Sequence, residues 1–126
     1  MKTIINTNNA PAPIGPYNQA VFAGNTLYIS GQIAIDPKTG NLLTESIEKE
    51  THQVMKNLKA ILLEAGMNFE SVVKTTIFLS SMDNFTVVNE VYGSYFTKTN
   101  PPARETVEVS CLPKKVNVEI SMIAVK

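Results

Sequence analysis

Pro101-Pro102-Ala103-Arg104-Glu105-Thr106-Val107-Glu108-Val109-Ser110-Cys111-Leu112-Pro113-Lys114-Lys115-Val116-Asn117-Val118-Glu119-Ile120-Ser121-Met122-Ile123-Ala124-Val125 is the stretch on which the fold turns. Both of its arms alternate, and Leu112 to Lys115 supplies a turn, so the pattern predicts two β-strands joined there. Neighbouring side chains on a strand point to opposite faces. Val107 and Val109 therefore share one face of the first arm, and Arg104, Thr106 and Glu108 share the other. In the second arm Val116, Val118, Ile120 and Met122 form the apolar face, opposite Asn117, Glu119 and Ser121. If the arms pair with their apolar faces together, Arg104 and Glu119 emerge on one polar face. A guanidinium and a carboxylate among small hydroxyls suit a small carboxylic acid. The same spacing also suits a solvated cross-strand ion pair.

Upstream, Val72 to Leu79 reads as a strand, and Ser81 or Asp83 can cap a helix reaching about Tyr95. Phe85, Val88, Tyr92 and Tyr95 or Phe96 form its stripe. Gly93 weakens that helix by roughly 1 kcal/mol relative to alanine, and Asn89 lies beside the stripe, within reach of a site. From about Ser46 another helical period runs through Ile47, Thr51, Val54, Leu58, Ile61, Leu62 and Ala65, with Gly66 placed to stop it. Glu48, His52, Lys56 and Lys59 take the opposite face, so the single histidine is expected in solvent. That leaves a Ser/His/Asp or Cys/His arrangement without its base and a metal site without its usual ligand.

Near the start, Thr3 to Ile5 predicts a short edge strand. The segment Ala10-Pro11-Ala12-Pro13-Ile14-Gly15-Pro16-Tyr17 predicts a stiff extended loop, because proline fixes φ and removes donors. Such a loop makes Tyr17 either a site residue or a tyrosine covering the core. Gln19 to Phe22 and Thr26 to Ile35 predict two strands joined at Ala23-Gly24-Asn25. Gly31, inside Ile29-Ser30-Gly31-Gln32-Ile33, marks a bulge or a place where a ligand nears the backbone. Asp36-Pro37-Lys38-Thr39-Gly40 is a turn.

With 126 residues, 44% hydrophobic and 17% charged, residues 1–126 form a single domain that buries roughly two-thirds of its unfolded surface. Eleven basic residues balance eleven acidic ones, which argues against a nucleic-acid or membrane partner held by bulk charge. The lone Cys111 fits a reducing compartment and is expected as a packed thiol. Without a signal-like or membrane-spanning run, the chain is expected in the cytoplasm.

The order strand, strand, strand, helix, strand, helix, strand, strand predicts an α+β sandwich: a sheet of about five or six strands with two helices on one face. The other face is expected to carry Arg104, Thr106, Glu108, Asn117 and Glu119, and to meet other subunits there or at a sheet edge.

Six pieces, in order, resemble the RidA/YjgF family, also called the L-PSP endoribonuclease family, over essentially the whole chain. They are Ile14-Gly15-Pro16-Tyr17 with Gln19-Ala20; Ile29 to Ile33; Pro37 to Gly40; Val73 to Phe78; Val88-Asn89-Glu90-Val91-Tyr92; and Pro102-Ala103-Arg104 with Val107-Glu108-Val109, Leu112-Pro113-Lys114 and Val118-Glu119-Ile120. The resemblance implies a chorismate-mutase-like fold, a roughly six-stranded mixed sheet assembled as a barrel-like homotrimer with clefts between subunits. It also implies hydrolysis of reactive enamines and imines, such as 2-aminoacrylate and its imine tautomer, to 2-keto acids and ammonia, with no metal or organic cofactor. Arg104 matches the arginine that grips the substrate carboxylate, and Glu119 the carboxylate that positions or activates water. Tyr17, Ser30, Gly31 and Asn89 match other cleft positions, partly supplied by a neighbouring subunit.

Two positions depart from the pattern. Thr106 stands where many relatives have cysteine and keeps a small donor beside Arg104 at a substrate-binding position; Glu105 replaces a usually small residue and is expected on the opposite face. Two other functions fit the same resemblance. One is a non-catalytic ligand-binding or chaperone-like trimer. The other is a ribonuclease or translation inhibitor, for which neutral charge and the lack of a basic groove with aromatic platforms speak poorly.

Overall fold

Ser46 opens the longer helix by accepting a hydrogen bond from the backbone N–H of Lys49, and α1 then runs from Ile47 to Glu64. Its stripe is fully buried at Val54, Leu58, Ile61 and Leu62. Gly66, at φ +73°, turns the chain out of the helix in a conformation that side chains disfavour. The computed structural model describes residues 1–97 and 100–126. Its strands are β1 (Lys2–Ile5), β2 (Ala20–Ala23), β3 (Thr26–Gln32), β4 (Val72–Leu79), β5 (Ala103–Glu108) and β6 (Val118–Val125), and a second helix, α2, spans Phe85–Gly93. They form one six-stranded sheet in the order β1-β2-β3-β6-β4-β5. The sheet is mixed: β4 and β5 are parallel and every other neighbouring pair is antiparallel. Among the described residues no helix is long and apolar enough to cross a membrane.

The expected hairpin does not form. Leu112 to Lys115 does turn, with Lys114 and Lys115 both in the left-handed region, but β4 lies between β5 and β6. The reason is the connection. β4, α2 and β5 make a strand–helix–strand crossover, which returns the chain parallel to the strand it left. The other side of β4 is then open to β6, whose first seven residues alternate between buried and half-buried before the exposed Val125.

This order changes which side chains share a face. Thr75, Ile77 and Leu79 sit opposite Arg104, Thr106 and Glu108 on one side, and opposite Met122, Ile120 and Val118 on the other. Aligned partners across a sheet point the same way. Arg104 and Thr106 therefore point to the helix-covered face, with the core. Glu119, opposite Phe78, points to the bare face. Of the five polar residues expected on that face, Glu119 alone is there: the Glu108 carboxylate accepts from the Met82 backbone, and Asn117 is bonded to Glu50 of α1. Val107, expected in the core, is 41% exposed.

Both helices cover one face, as expected, with Val88 and Tyr92 of α2 in the same apolar cluster as Ile77 and Ile120. The bare face shows Tyr28, Lys74, Thr76, Glu105 and Val107 around Ser121 and Ile123. A small second cluster of Ile33, Leu112 and Val116 packs with Phe78 at one end. Two smaller expectations also change. His52 is half-buried, with Nδ1 2.8 Å from the Tyr95 hydroxyl, because the turn just past α2 packs back on α1. Cys111 is exposed, not packed.

Candidate active site

The site residues named from sequence divide into two groups. The first surrounds Arg104 on β5. Asn89 lies on α2, whose packing over the sheet edge carries its side chain to the strand, and its Oδ1 accepts from Arg104 Nη1 at 2.8 Å. The guanidinium carbon lies 5.2 Å from the ring centre of Tyr92 and 5.8 Å from that of Phe85, a placement favourable to a cation. Tyr92 is itself fixed, donating from its hydroxyl to Thr75 at 2.9 Å; burial raises its pKa, against the pull of Thr75 and Arg104. Among the described residues this fork makes one hydrogen bond, so most of its donors point elsewhere. Thr106 follows on the same face, with its hydroxyl oxygen closed off from solvent and without a partner among the described residues.

The second group surrounds Glu119. Its carboxylate lies across Gly31, where the strand pairing of β3 slips between Ile29 and Gln32. A Cβ on Gly31 would stand 2.5 Å from Glu119 Oε2 and 2.9 Å from its carboxyl carbon. Glycine is what lets the carboxylate rest there, which answers to the bulge and close approach expected from sequence. Among the described residues the carboxylate accepts no hydrogen bond, and burial raises its pKa. Glu119 borders a cavity of about 410 Å³ whose wall includes Tyr17, Ser30, Gly31, Ile33 and Ile35. Ser30 donates to the Asn18 carbonyl at 2.7 Å, and the Tyr17 hydroxyl accepts from the Ile14 backbone at 3.3 Å.

The proline-rich wall is tied down by a residue that sequence reading missed. Gln19, 1% exposed, accepts from Thr7 N at 2.6 Å through Oε1 and donates from Nε2 to the carbonyls of Ala10 and Pro11 at 3.3 and 2.8 Å. The available signal was a long amide where the proline segment meets the first inner strand. Glu105 stays away from Arg104. On the bare face it pairs with Lys74 at 2.9 Å and accepts from Thr76, and these contacts lower its pKa, Thr76 first.

Arg104 and Glu119 lie on opposite faces of the sheet with β4 between their strands. One copy of the chain does not bring them into one site, which corrects the shared face expected from alternation.

A family model described as Endoribonuclease L-PSP matches residues 7–126. The chain belongs to the RidA/YjgF family. Among RidA/YjgF relatives it is 53% identical to a RutC family protein of Pyrococcus horikoshii, covering 100% of this chain and 99% of that one. It is 44% identical to human 2-iminobutanoate/2-iminopropanoate deaminase over 126 residues, 100% of this chain and 91% of the human one. The crystal structure of the Escherichia coli YjgF gene product superposes with a TM-score of 0.94 at 44% identity, over 98% of each chain. That of E. coli TdcF with bound serine gives 0.94 at 37% identity, again over 98% of each.

Proposed function

We propose that this RidA/YjgF protein hydrolyses 2-imino acids, including the imine tautomer of 2-aminoacrylate, to 2-keto acids and ammonia in clefts between subunits of a homotrimer. The observation that carries the reading is the Glu119 carboxylate, half-buried over Gly31 and without a hydrogen-bond partner among the described residues. The deaminase name of the human relative supports it. Because Arg104 occupies the other face, a working cleft takes Arg104, Asn89 and Thr106 from one subunit and Glu119, Tyr17, Ser30 and Gly31 from its neighbour.

In this cleft Arg104 holds the substrate carboxylate with its planar fork, with Asn89 and Tyr92 keeping the fork in place. Water adds to the carbon of the protonated imine while Glu119 takes a proton from it. The resulting carbinolamine nitrogen takes that proton back, and the C–N bond breaks as the hydroxyl yields its proton to Glu119 and becomes the carbonyl. Glu119 then hands this proton to the departing ammonia. A carboxyl group with a raised pKa suits both halves of this exchange, and proton transfer of this kind contributes about 10²–10⁴-fold. The imine carbon is already electrophilic, so positioning supplies the rest.

The test is release of ammonia and keto acid from freshly generated 2-aminoacrylate by wild type, Arg104→Ala and Glu119→Gln, each at the same oligomer mass. Acceleration by wild type and its loss in both variants supports the reading. Wild-type rates equal to buffer would overturn it. A second reading, ligand binding without turnover, is favoured by the serine bound in TdcF; it predicts saturable binding of serine or a keto acid with no release of ammonia.

A further inference from the structure

Glu50 is a fully buried carboxylate near the start of α1. All of its partners lie at one place. Oε2 accepts the backbone N–H of Asn117 at 2.7 Å and of Val118 at 2.9 Å, while Oε1 accepts from Asn117 Nδ2 at 2.8 Å. Among the described residues no cation pairs with it. A buried carboxyl group needs donors to replace the water its oxygens lose, and these three do so. Asn117 is gripped from the other side as well: Ser80, just past β4, donates from its hydroxyl to Asn117 Oδ1 at 3.1 Å and from its backbone to the Asn117 carbonyl at 3.0 Å.

Asn117 is the residue before β6, and Glu119 is the second residue of that strand. Along a strand, a slip of one residue turns every side chain to the other face. A clamp that fixes the Asn117 and Val118 backbone amides therefore fixes Val118 into the core and Glu119 onto the bare face. We propose that Glu50 is a positioning residue for the reaction, its carboxylate setting the start of β6 and so holding Glu119 over Gly31. This inference rests on the proposed role of Glu119.

Arg104 lies on the face opposite Glu119 and makes none of the clamp's hydrogen bonds, so disturbing the clamp separates orientation from substrate binding. Glu50→Ala removes both acceptor oxygens and with them all three hydrogen bonds, and Glu50→Asp draws the oxygens back by one methylene. Both are expected to lower kcat per assembled site by about 10²-fold, the scale of an ångström-sized misplacement, with KM little changed. Glu50→Gln is expected to rescue kcat to near wild type. It keeps one oxygen for the two backbone N–H groups, and a turned-over Asn117 amide can accept from its new NH₂.

A carbon NMR titration of the Glu119 carboxyl supplies a readout independent of turnover. Among the described residues, Tyr17 is the only other titratable side chain lining this cavity. In wild type Glu119 should titrate above the ordinary carboxylate range, and in Glu50→Asp it should fall back toward that range as the side chain meets water. Lower melting temperatures with unchanged kcat per folded site and an unchanged titration would overturn the proposal, leaving Glu50 purely structural. If Glu50→Ala fails to fold, Glu50→Asp and Glu50→Gln decide. If wild type lacks turnover, the hydrolase reading fails, and the titration still decides whether Glu50 seats Glu119.

Discussion

The two faces of the sheet hold their charged site residues, Arg104 and Glu119, in opposite ways. On the helix-covered face Arg104 lies beside the rings of Tyr92 and Phe85 and is hydrogen-bonded by Asn89, so its charge is supported on several sides. On the bare face Glu119 rests against a glycine backbone with no hydrogen-bond partner among the described residues, and burial opposes its ionisation. An anchor benefits from support, because it must hold one geometry and one charge. A group that exchanges protons benefits from being left unpaired, because a strong partner would fix its protonation state.

The largest effects should come from removing each side of this contrast. Glu119→Gln is expected to lower kcat by about 10²–10⁴-fold with KM little changed. Arg104→Ala should instead act mainly through substrate affinity and lower kcat/KM by about 10²-fold. Steady-state kinetics on 2-aminoacrylate separate the two, and the same pattern in both variants would break the division of labour.

A smaller effect tests the opposite-face geometry. If each cleft draws Arg104 from one subunit and Glu119 from the next, random trimers formed from equal amounts of Arg104→Ala and Glu119→Gln chains contain about one intact cleft in four. Co-refolding the two inactive variants should recover about a quarter of wild-type activity. Recovery of none would place both residues in the cleft of a single chain or deny their roles.

Stability offers a finer measure. Burial raises the Glu119 pKa, so the folded chain binds that proton more tightly than the unfolded chain, and ionisation at neutral pH weakens the fold. Glu119→Gln should melt a few degrees higher than wild type at pH 7 to 8. The gain should shrink as pH falls through the shifted pKa and vanish below the ordinary glutamate value of about 4.3. A variant less stable than wild type at pH 8 would mean that the carboxylate has a stabilising partner in the assembly. The smallest change is expected at the exposed Lys74–Glu105 pair, where Glu105→Ala should shift the melting temperature less than Glu119→Gln does.

The candidate site was legible to different depths. Arg104, Glu119, Tyr17, Ser30, Gly31 and Asn89 were named from motif positions, and Asn89 does reach Arg104. Gly31 does lie where its lack of a side chain matters. Gln19 and Glu50 were not legible as supports, because their partners are backbone groups brought in by folding: Thr7, Ala10 and Pro11 for one, Asn117 and Val118 for the other. His52 was misread for a related reason. Helical periodicity placed it away from the stripe of α1 but carried no information about Tyr95, which comes from the turn just past another helix.

The sequence by itself determined the elements, the α+β class, the apolar stripe of α1, the inward residues of β6 and the family. These follow from periodicities of 3.6 and 2, from turn residues, and from motifs short enough to read along the chain. Only the tertiary structure decided that β4 lies between β5 and β6, and with it that Arg104 and Glu119 part to opposite faces. Alternation is a local property that says which side chains share a face of one strand. Which strand lies beside it is settled by the crossover through α2 and by burial over the whole sheet.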